Sequence, residues 1–128
     1  MMITITHIDH LVLTVKHIPT TIEFYARVLG VSAINFGDKR TALKFGQQKI
    51  NLHEVGSEFK PGARQPTPGS ADLCLITKTE LEQAIVYVQS CNVEVIKGPV
   101  ERTGATGKLL SFYIHAPDLN LIEISNRT

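Results

Sequence analysis

Residues 8–30 read Ile-Asp-His-Leu-Val-Leu-Thr-Val-Lys-His-Ile-Pro-Thr-Thr-Ile-Glu-Phe-Tyr-Ala-Arg-Val-Leu-Gly. The opening of this stretch is apolar and β-branched. Together with Ile3-Thr4-Ile5-Thr6-His7 before it, it predicts a strand over 3–15. A helix follows. Thr20 and Glu23 have the spacing of a capping box. Ile22, Ala26 and Leu29 recur at helical spacing, and Gly30 is placed to end the helix in a left-handed turn. Three shorter strand-like runs come next, at about 31–36, 41–46 and 49–55. Gly37-Asp38 and Gly46-Gln47 separate them as turns.

The same order then returns. Residues 57–69 are rich in proline and glycine and read as a linker between a first module (about 1–56) and a second (about 70–128). Ala71-Asp72-Leu73-Cys74-Leu75-Ile76 matches Asp9-His10-Leu11-Val12-Leu13-Thr14. Thr79 with Glu82 matches Thr20 with Glu23 as a second capping box, and Leu81, Ala84, Ile85 and Val88 form the apolar helix face. Strands are expected at about 92–97, 108–115 and 120–125, with a Gly-rich loop over 98–107. Asn51-Leu52-His53 is set against Leu121-Ile122-Glu123. The chain thus reads as an α+β fold of paired βαβββ modules forming a single domain.

Composition narrows the function. The 128 residues carry 13 Lys plus Arg against 12 Asp plus Glu, a formal charge of +1. That balance lacks the basic excess that phosphate-dominated nucleic-acid binding requires, so no nucleic acid is expected as partner. No polybasic block addresses a membrane, and no apolar run is long enough to span one. The N-terminus lacks the pattern of a signal peptide, and Cys74 and Cys91 do not make a disulfide framework. A cytoplasmic protein is expected.

Alternation assigns the faces of the strands. Leu11, Leu13 and Val15 share the side that suits the helix, as do Ile50 and Leu52, Leu73 and Leu75, and Ile122 and Ile124. The opposite side then carries His10, His53, Asp72 and Glu123. A carboxylate among apolar neighbours is costly to bury unless it is paired or bound to metal. Two imidazoles and two carboxylates on one curved sheet point to a divalent metal: Fe, Mn, Co, Ni or Zn. Each residue also has a plainer reading, as a strand-end polar group or an outward residue of a half-exposed strand. Arg102 and Lys108 flank the Gly-rich stretch and are candidates for holding an anionic substrate. His115, before Ala116-Pro117-Asp118, is a candidate for a pocket rim.

The stretches 8–13, 20–30 and 112–124 together resemble the vicinal oxygen chelate superfamily, which includes glyoxalase I, bleomycin-resistance proteins, fosfomycin-resistance enzymes and extradiol dioxygenases. Residues 68–77 and 98–105 look most similar to the glyoxalase domain-containing protein 5 group. The resemblance implies βαβββ modules curled around a metal cavity, with ligands at His10, His53, Asp72 and Glu123. It departs from glyoxalase I at two of them, where His53 stands for Glu and Asp72 for His or Gln. Asp72 accordingly either completes the ligand set or orients it. The family's Asp-Pro-Asp-Gly turn appears as Ala116-Pro117-Asp118-Leu119. The resemblance further implies a homodimer and a lyase or isomerase acting on a small oxygen-rich substrate, with Glu123 as the catalytic base. Two alternatives stand beside it. One is an Fe(II) dioxygenase using His10, His53 and Glu123; the other is a metal-free small-molecule binding protein of the bleomycin-resistance type.

Overall fold

A computed structural model describes residues 1–128. In chain order its elements are β1 (His10–Val15), α1 (Ile18–Leu29), β2 (Ser32–Phe36), β3 (Arg40–Phe45), β4 (Gln48–Glu54), β5 (Asp72–Ile76), α2 (Leu81–Ser90), β6 (Lys97–Gly104), β7 (Gly107–His115) and β8 (Leu121–Arg127). The strands form two four-stranded sheets, in the orders β1-β4-β3-β2 and β5-β8-β7-β6. β1 runs parallel to β4 and β5 parallel to β8, and the other pairings are antiparallel. The two modules are thus copies of one βαβββ unit in an α+β fold. No helix is long and apolar enough to cross a membrane.

One apolar cluster holds the modules together. Leu13, Val15, Ile50 and Leu52 enter it from the first sheet, and Phe112, Ile114, Ile122 and Ile124 from the second. Phe24, Tyr25 and Val28 of α1 and Leu81 and Val88 of α2 fill the space between. Burying each such side chain contributes roughly 1.5–3 kcal/mol. α1 and α2 also meet through polar contacts. The Tyr87 hydroxyl donates to Arg27 O at 2.6 Å, and Arg27 Nη1 donates to Cys91 O at 2.9 Å. Each sheet therefore spends its apolar face on the helices and turns its other face outward.

Several local expectations are corrected. β1 begins at His10 rather than Ile3, although residues 3–9 alternate like a strand. Its only ladder neighbour is β4, which starts at Gln48 just after the tight turn, so residues 3–9 have no strand to pair with. Residues 98–104, expected as loop, belong to β6. β6 is an outer strand, so Pro99 can sit there without breaking a ladder inside the sheet.

Neither capping box forms. α1 starts earlier, with His17 as N-cap and a proline in its first turn. The Thr20 hydroxyl bonds His17 Nδ1 instead, and Glu23 pairs with Arg27 Nε at 2.6 Å. The start of α2 is capped from another strand. Asn126 Oδ1 accepts the Leu81 N–H at 2.9 Å, and Asn126 Nδ2 donates to Thr77 O and Thr79 O. Gly30 does end α1 as expected, with φ 66° and its N–H on Ala26 O.

Turn 116–119 ties the modules. Asp118 Oδ2 accepts the Lys16 N–H at 2.9 Å, joining the second module to the end of β1. Leu119 holds φ 69° there, a conformation that strains any residue with a Cβ. Two outcomes follow. Leu119→Gly relieves this strain at an exposed site and raises stability by up to about 1 kcal/mol in urea unfolding, after glycine's entropy cost is taken off. Asn126→Ala lowers it by about 1–3 kcal/mol, since three backbone groups lose their partner, whereas Thr79→Ala changes it by less than about 0.5 kcal/mol.

Candidate functional site

The outward face of the second sheet follows from its ladder, because residues directly opposite one another project to the same side. One row runs Cys74, Glu123, Tyr113 and the next Ile76, Ser125, Ser111. Asp72 lies beside Leu121 and His115. Glu123 is fixed in place. Ser111 Oγ donates to Glu123 Oε2 at 2.6 Å, and Ser125 Oγ lies 2.7 Å from Ser111 Oγ and 3.4 Å from Glu123 Oε2. Both serines are buried, so the carboxylate is oriented from below and its Oε1 stays free. Cys74 Sγ joins the chain at 3.2 Å from Ser125 Oγ. Burial raises the Cys74 thiol, and the nearby Glu123 adds to the rise, so it stays protonated at neutral pH. Arg102 shares this face through Tyr113, whose hydroxyl accepts its Nε–H at 2.8 Å.

The outward face of the first sheet has the same plan. Its rows are His10 with Lys49, Val12 with Asn51, and Thr14 with His53. His10 Nδ1 bonds Asp9 Oδ1 at 2.8 Å, and this bond holds the Asp9 carboxyl below its usual range. The arrangement fixes the ring and leaves Nε2 free. Asn51 is only 7% exposed, and its Oδ1 finds no hydrogen-bond partner. His53 packs against Phe59, ring centroids 5.5 Å apart. Burial lowers the His53 pKa, and the Arg40 charge lowers it further. Its imidazole is neutral at pH 7.

The register corrects the internal match of the two halves. Asp72 stands two places before Cys74, the residue opposite Glu123; His10 stands two places before Val12, the residue opposite Asn51. Asn51, not His53, is thus the counterpart of Glu123. His53 lies on the expected face but four places along the ladder from His10, about 13 Å away. Nor does one chain gather His10, His53, Asp72 and Glu123, since it holds no group of three His, Cys, Asp or Glu able to bind a metal. His10 and His53 lie on the first sheet and Asp72 and Glu123 on the second, and the helix packing turns both of these faces outward. His115 and Arg102 do share the face of Glu123. Asn51, Ser111, Ser125 and Tyr113 were not among the expected site residues, although alternation alone puts them on these faces.

Two clefts adjoin the faces. One of about 550 Å³ runs beside Val12, Thr14 and His53 under linker residues 58–67. A larger one of about 1090 Å³ follows the β5 edge and α2 but touches none of His10, Asn51, Asp72 and Glu123.

Residues 7–124 match the family described as the Glyoxalase/Bleomycin resistance protein/Dioxygenase superfamily. The chain belongs to that superfamily. It is 57% identical over 121 residues to virulence protein STM3117 of Salmonella typhimurium, covering 94% of this chain and 84% of that one. Glyoxalase domain-containing protein RDO1 of Mycosarcoma maydis is 48% identical over 97% of this chain and 70% of its own length. An integron cassette protein of V. cholerae superposes with TM-score 0.97 at 53% identity, with both chains fully covered. A fosfomycin resistance protein of Listeria monocytogenes, complexed with Mn(II) and 1S,2S-dihydroxypropylphosphonic acid, shares the fold at TM-score 0.67 and 20% identity, over 98% of this chain and 93% of that one.

The His53 environment sets a pH dependence. The unfolded chain takes up a proton at the ordinary imidazole pKa, whereas the folded chain resists it. Stability is therefore intact at neutral pH and falls as pH drops through the ordinary imidazole range. NMR titration of the His53 ring should give a midpoint below the ordinary imidazole value, and Arg40→Gln should raise it.

Proposed function

We propose that the protein is a divalent-metal-dependent enzyme of glyoxalase-like type, a lyase or isomerase acting on a small oxygen-rich substrate, with each site built from two copies of the chain. The observation that carries this reading is the preparation of Glu123: two buried serines orient its carboxylate on an open face and leave one oxygen free. Costly buried hydroxyl pairs of this kind are expected beneath a carboxylate that must hold one position.

The residues present fit a metal. His10 offers Nε2 from a ring that Asp9 already steadies, Glu123 offers Oε1, and Asp72 lies exposed on the face of Glu123, two places before Cys74, the residue opposite it. Asn51 Oδ1, buried without a partner, supplies a further oxygen of the right type. One imidazole nitrogen with carboxylate and amide oxygens suits Ni, Zn, Fe, Mn or Co. His10 and Asn51 come from one sheet, and Asp72 and Glu123 from the other, so the set requires a homodimer in which the first sheet of one protomer meets the second sheet of its partner. The exposed edges β1 and β5, with Val12, Ile34 and Ile76 exposed on the outward faces, favour that contact.

When bound, the metal supplies a Lewis acid that polarises substrate oxygens and stabilises developing negative charge. The chain's own groups do the rest. Glu123 accepts a proton from the carbon beside a substrate carbonyl, while Ser111 keeps Oε2 occupied and Oε1 directed outward. Tyr113 and Arg102 stand on the same face to steady the substrate's polar groups. The cleft beneath linker 58–67 accommodates the remainder of a small molecule. The dioxygenase alternative loses its second imidazole, because His53 sits far along the ladder from His10.

Elemental analysis of protein purified without chelators tests the reading. It should give about one metal per chain, lost in Glu123→Ala and His10→Ala and kept in His53→Ala. Ser111→Ala should weaken metal affinity about 10–100-fold. An absence of metal in the wild type even after loading would favour the metal-free binding protein instead.

A further inference from the structure

Residues 1–9 form an arm that is exposed along its whole length. Its apolar side chains face water, Ile3 at 88% exposure and Ile5 at 80%. The arm alternates Ile3-Thr4-Ile5-Thr6, the pattern of a strand with one dry and one wet face. Carried back from β1, this alternation puts Ile3 and Ile5 on the side of Leu11 and Leu13, which faces the helices. Thr4 and Thr6 fall on the outward side, with His10. A strand patterned in this way is stable only beside a neighbouring strand and over an apolar floor.

The fold provides both along β5. That strand pairs only with β8, so the N–H and C=O groups of its other edge are free to take a further strand. Natural edges are guarded by charges or proline, whereas Asp72-Leu73-Cys74-Leu75-Ile76 has a single charge, at its start. The cleft of about 1090 Å³ runs along this edge. It is larger than most small-molecule pockets, which hold about 300–1,000 Å³. Val28, Val31, Phe45, Leu75, Tyr87 and Val88 give it an apolar floor, and no Lys, Arg or Glu lines it. Residues 1–8 contain no Lys, Arg, Asp or Glu either. Lengths match as well: the five residues of β5 span about 17 Å, as do five residues of an extended arm.

The arm does not fill the cleft of its own chain. His7, Ile8 and Asp9, at its root, line the cleft, yet Ile3 and Ile5 stay outside it in solvent. A second copy related by a two-fold axis resolves this. Each arm then leaves the rim of one cleft and enters the other, and the pair closes with no arm and no β5 edge left over.

We propose that residues 3–7 of each protomer add as a strand to the β5 edge of a second copy, with Ile3 and Ile5 in the apolar cleft and Thr4 and Thr6 on the side of Cys74. The seat is continuous with the contact of the first sheet of one protomer with the second sheet of its partner, because the arm runs directly into β1. It shares with the enzyme reading the need for a second copy and does not depend on the metal.

Two measurements on the full chain test the seat. Analytical ultracentrifugation should show a dimer whose dissociation constant rises at least roughly hundredfold in Ile3→Ser/Ile5→Ser, which alters only side chains that a single chain leaves in water. Cross-linking reads the pairing itself. Residues opposite one another in a ladder project to the same side. In a Cys91→Ser background, diamide should therefore join Thr4→Cys or Thr6→Cys to Cys74 of the partner subunit and give a covalent dimer. Ile3→Cys and Ile5→Cys should give little, and Cys74→Ser should abolish the bond. The proposal is overturned by a monomeric wild type, by unchanged dimer affinity in the double serine variant, by equal cross-linking at odd and even positions, or by bonds formed only within one chain. Metal content separates this result from the enzyme reading. A dimer that forms the Cys74 cross-link but takes up no metal keeps the arm seat and removes the enzyme; a metal-loaded dimer without the cross-link keeps the enzyme and removes the arm seat.

Discussion

Helix packing forces the polar residues of the strands into the open. Each sheet has one apolar face, and the central cluster of Phe24, Tyr25, Val28, Leu81, Val88, Phe112, Ile122 and Ile124 consumes both of them. Alternation along β1, β4, β5 and β8 then leaves His10, Asn51, Asp72 and Glu123 nowhere to point but outward. The same packing that stabilises the chain keeps His10 and Asn51 on one face and Asp72 and Glu123 on another. In the enzyme we propose, a second copy covers these faces and completes the site.

The two faces differ in kind. The second sheet holds its carboxylate by buried serine hydroxyls, with Arg102 and Tyr113 linked close by. The first sheet carries fixed cations and a neutral His53, whose proton affinity is lowered by burial and by Arg40. In the enzyme we propose, the two faces meet and combine an oriented base with nitrogen and oxygen ligands, which suits removal of a proton beside a carbonyl, where charge developing on oxygen must be stabilised.

Much of this was legible in the sequence. The βαβββ repeat, the linker, the glycine end of α1 and the outward faces of His10, Asp72 and Glu123 all follow from periodicity and turn residues. Register was not legible. A slip of two residues preserves alternation, so His53 and Asn51 satisfy the same pattern, and only the ladder tells them apart. Long-range partners were also hidden. The cap of α2 comes from Asn126, which sits 45 residues from Leu81 in sequence, so the local spacing of Thr79 and Glu82 suggested a cap that the fold supplies otherwise. Residues 98–104 look like a loop because of Gly98, Pro99 and Gly104, yet an outer strand tolerates all three. Leu119 was read as a departure from the family's turn; the left-handed backbone there explains why glycine is the usual occupant.

The central claim is that one site draws on two chains. It is tested most directly by the metal content of a heterodimer, purified through two different tags, that joins a His10→Ala chain to a Glu123→Ala chain. In a shared arrangement one of the two sites loses both residues and the other keeps both, so the heterodimer should hold half the metal of the wild type. A heterodimer devoid of metal, with wild-type homodimer fully loaded, would place His10 and Glu123 of a single chain in the same site and contradict the account.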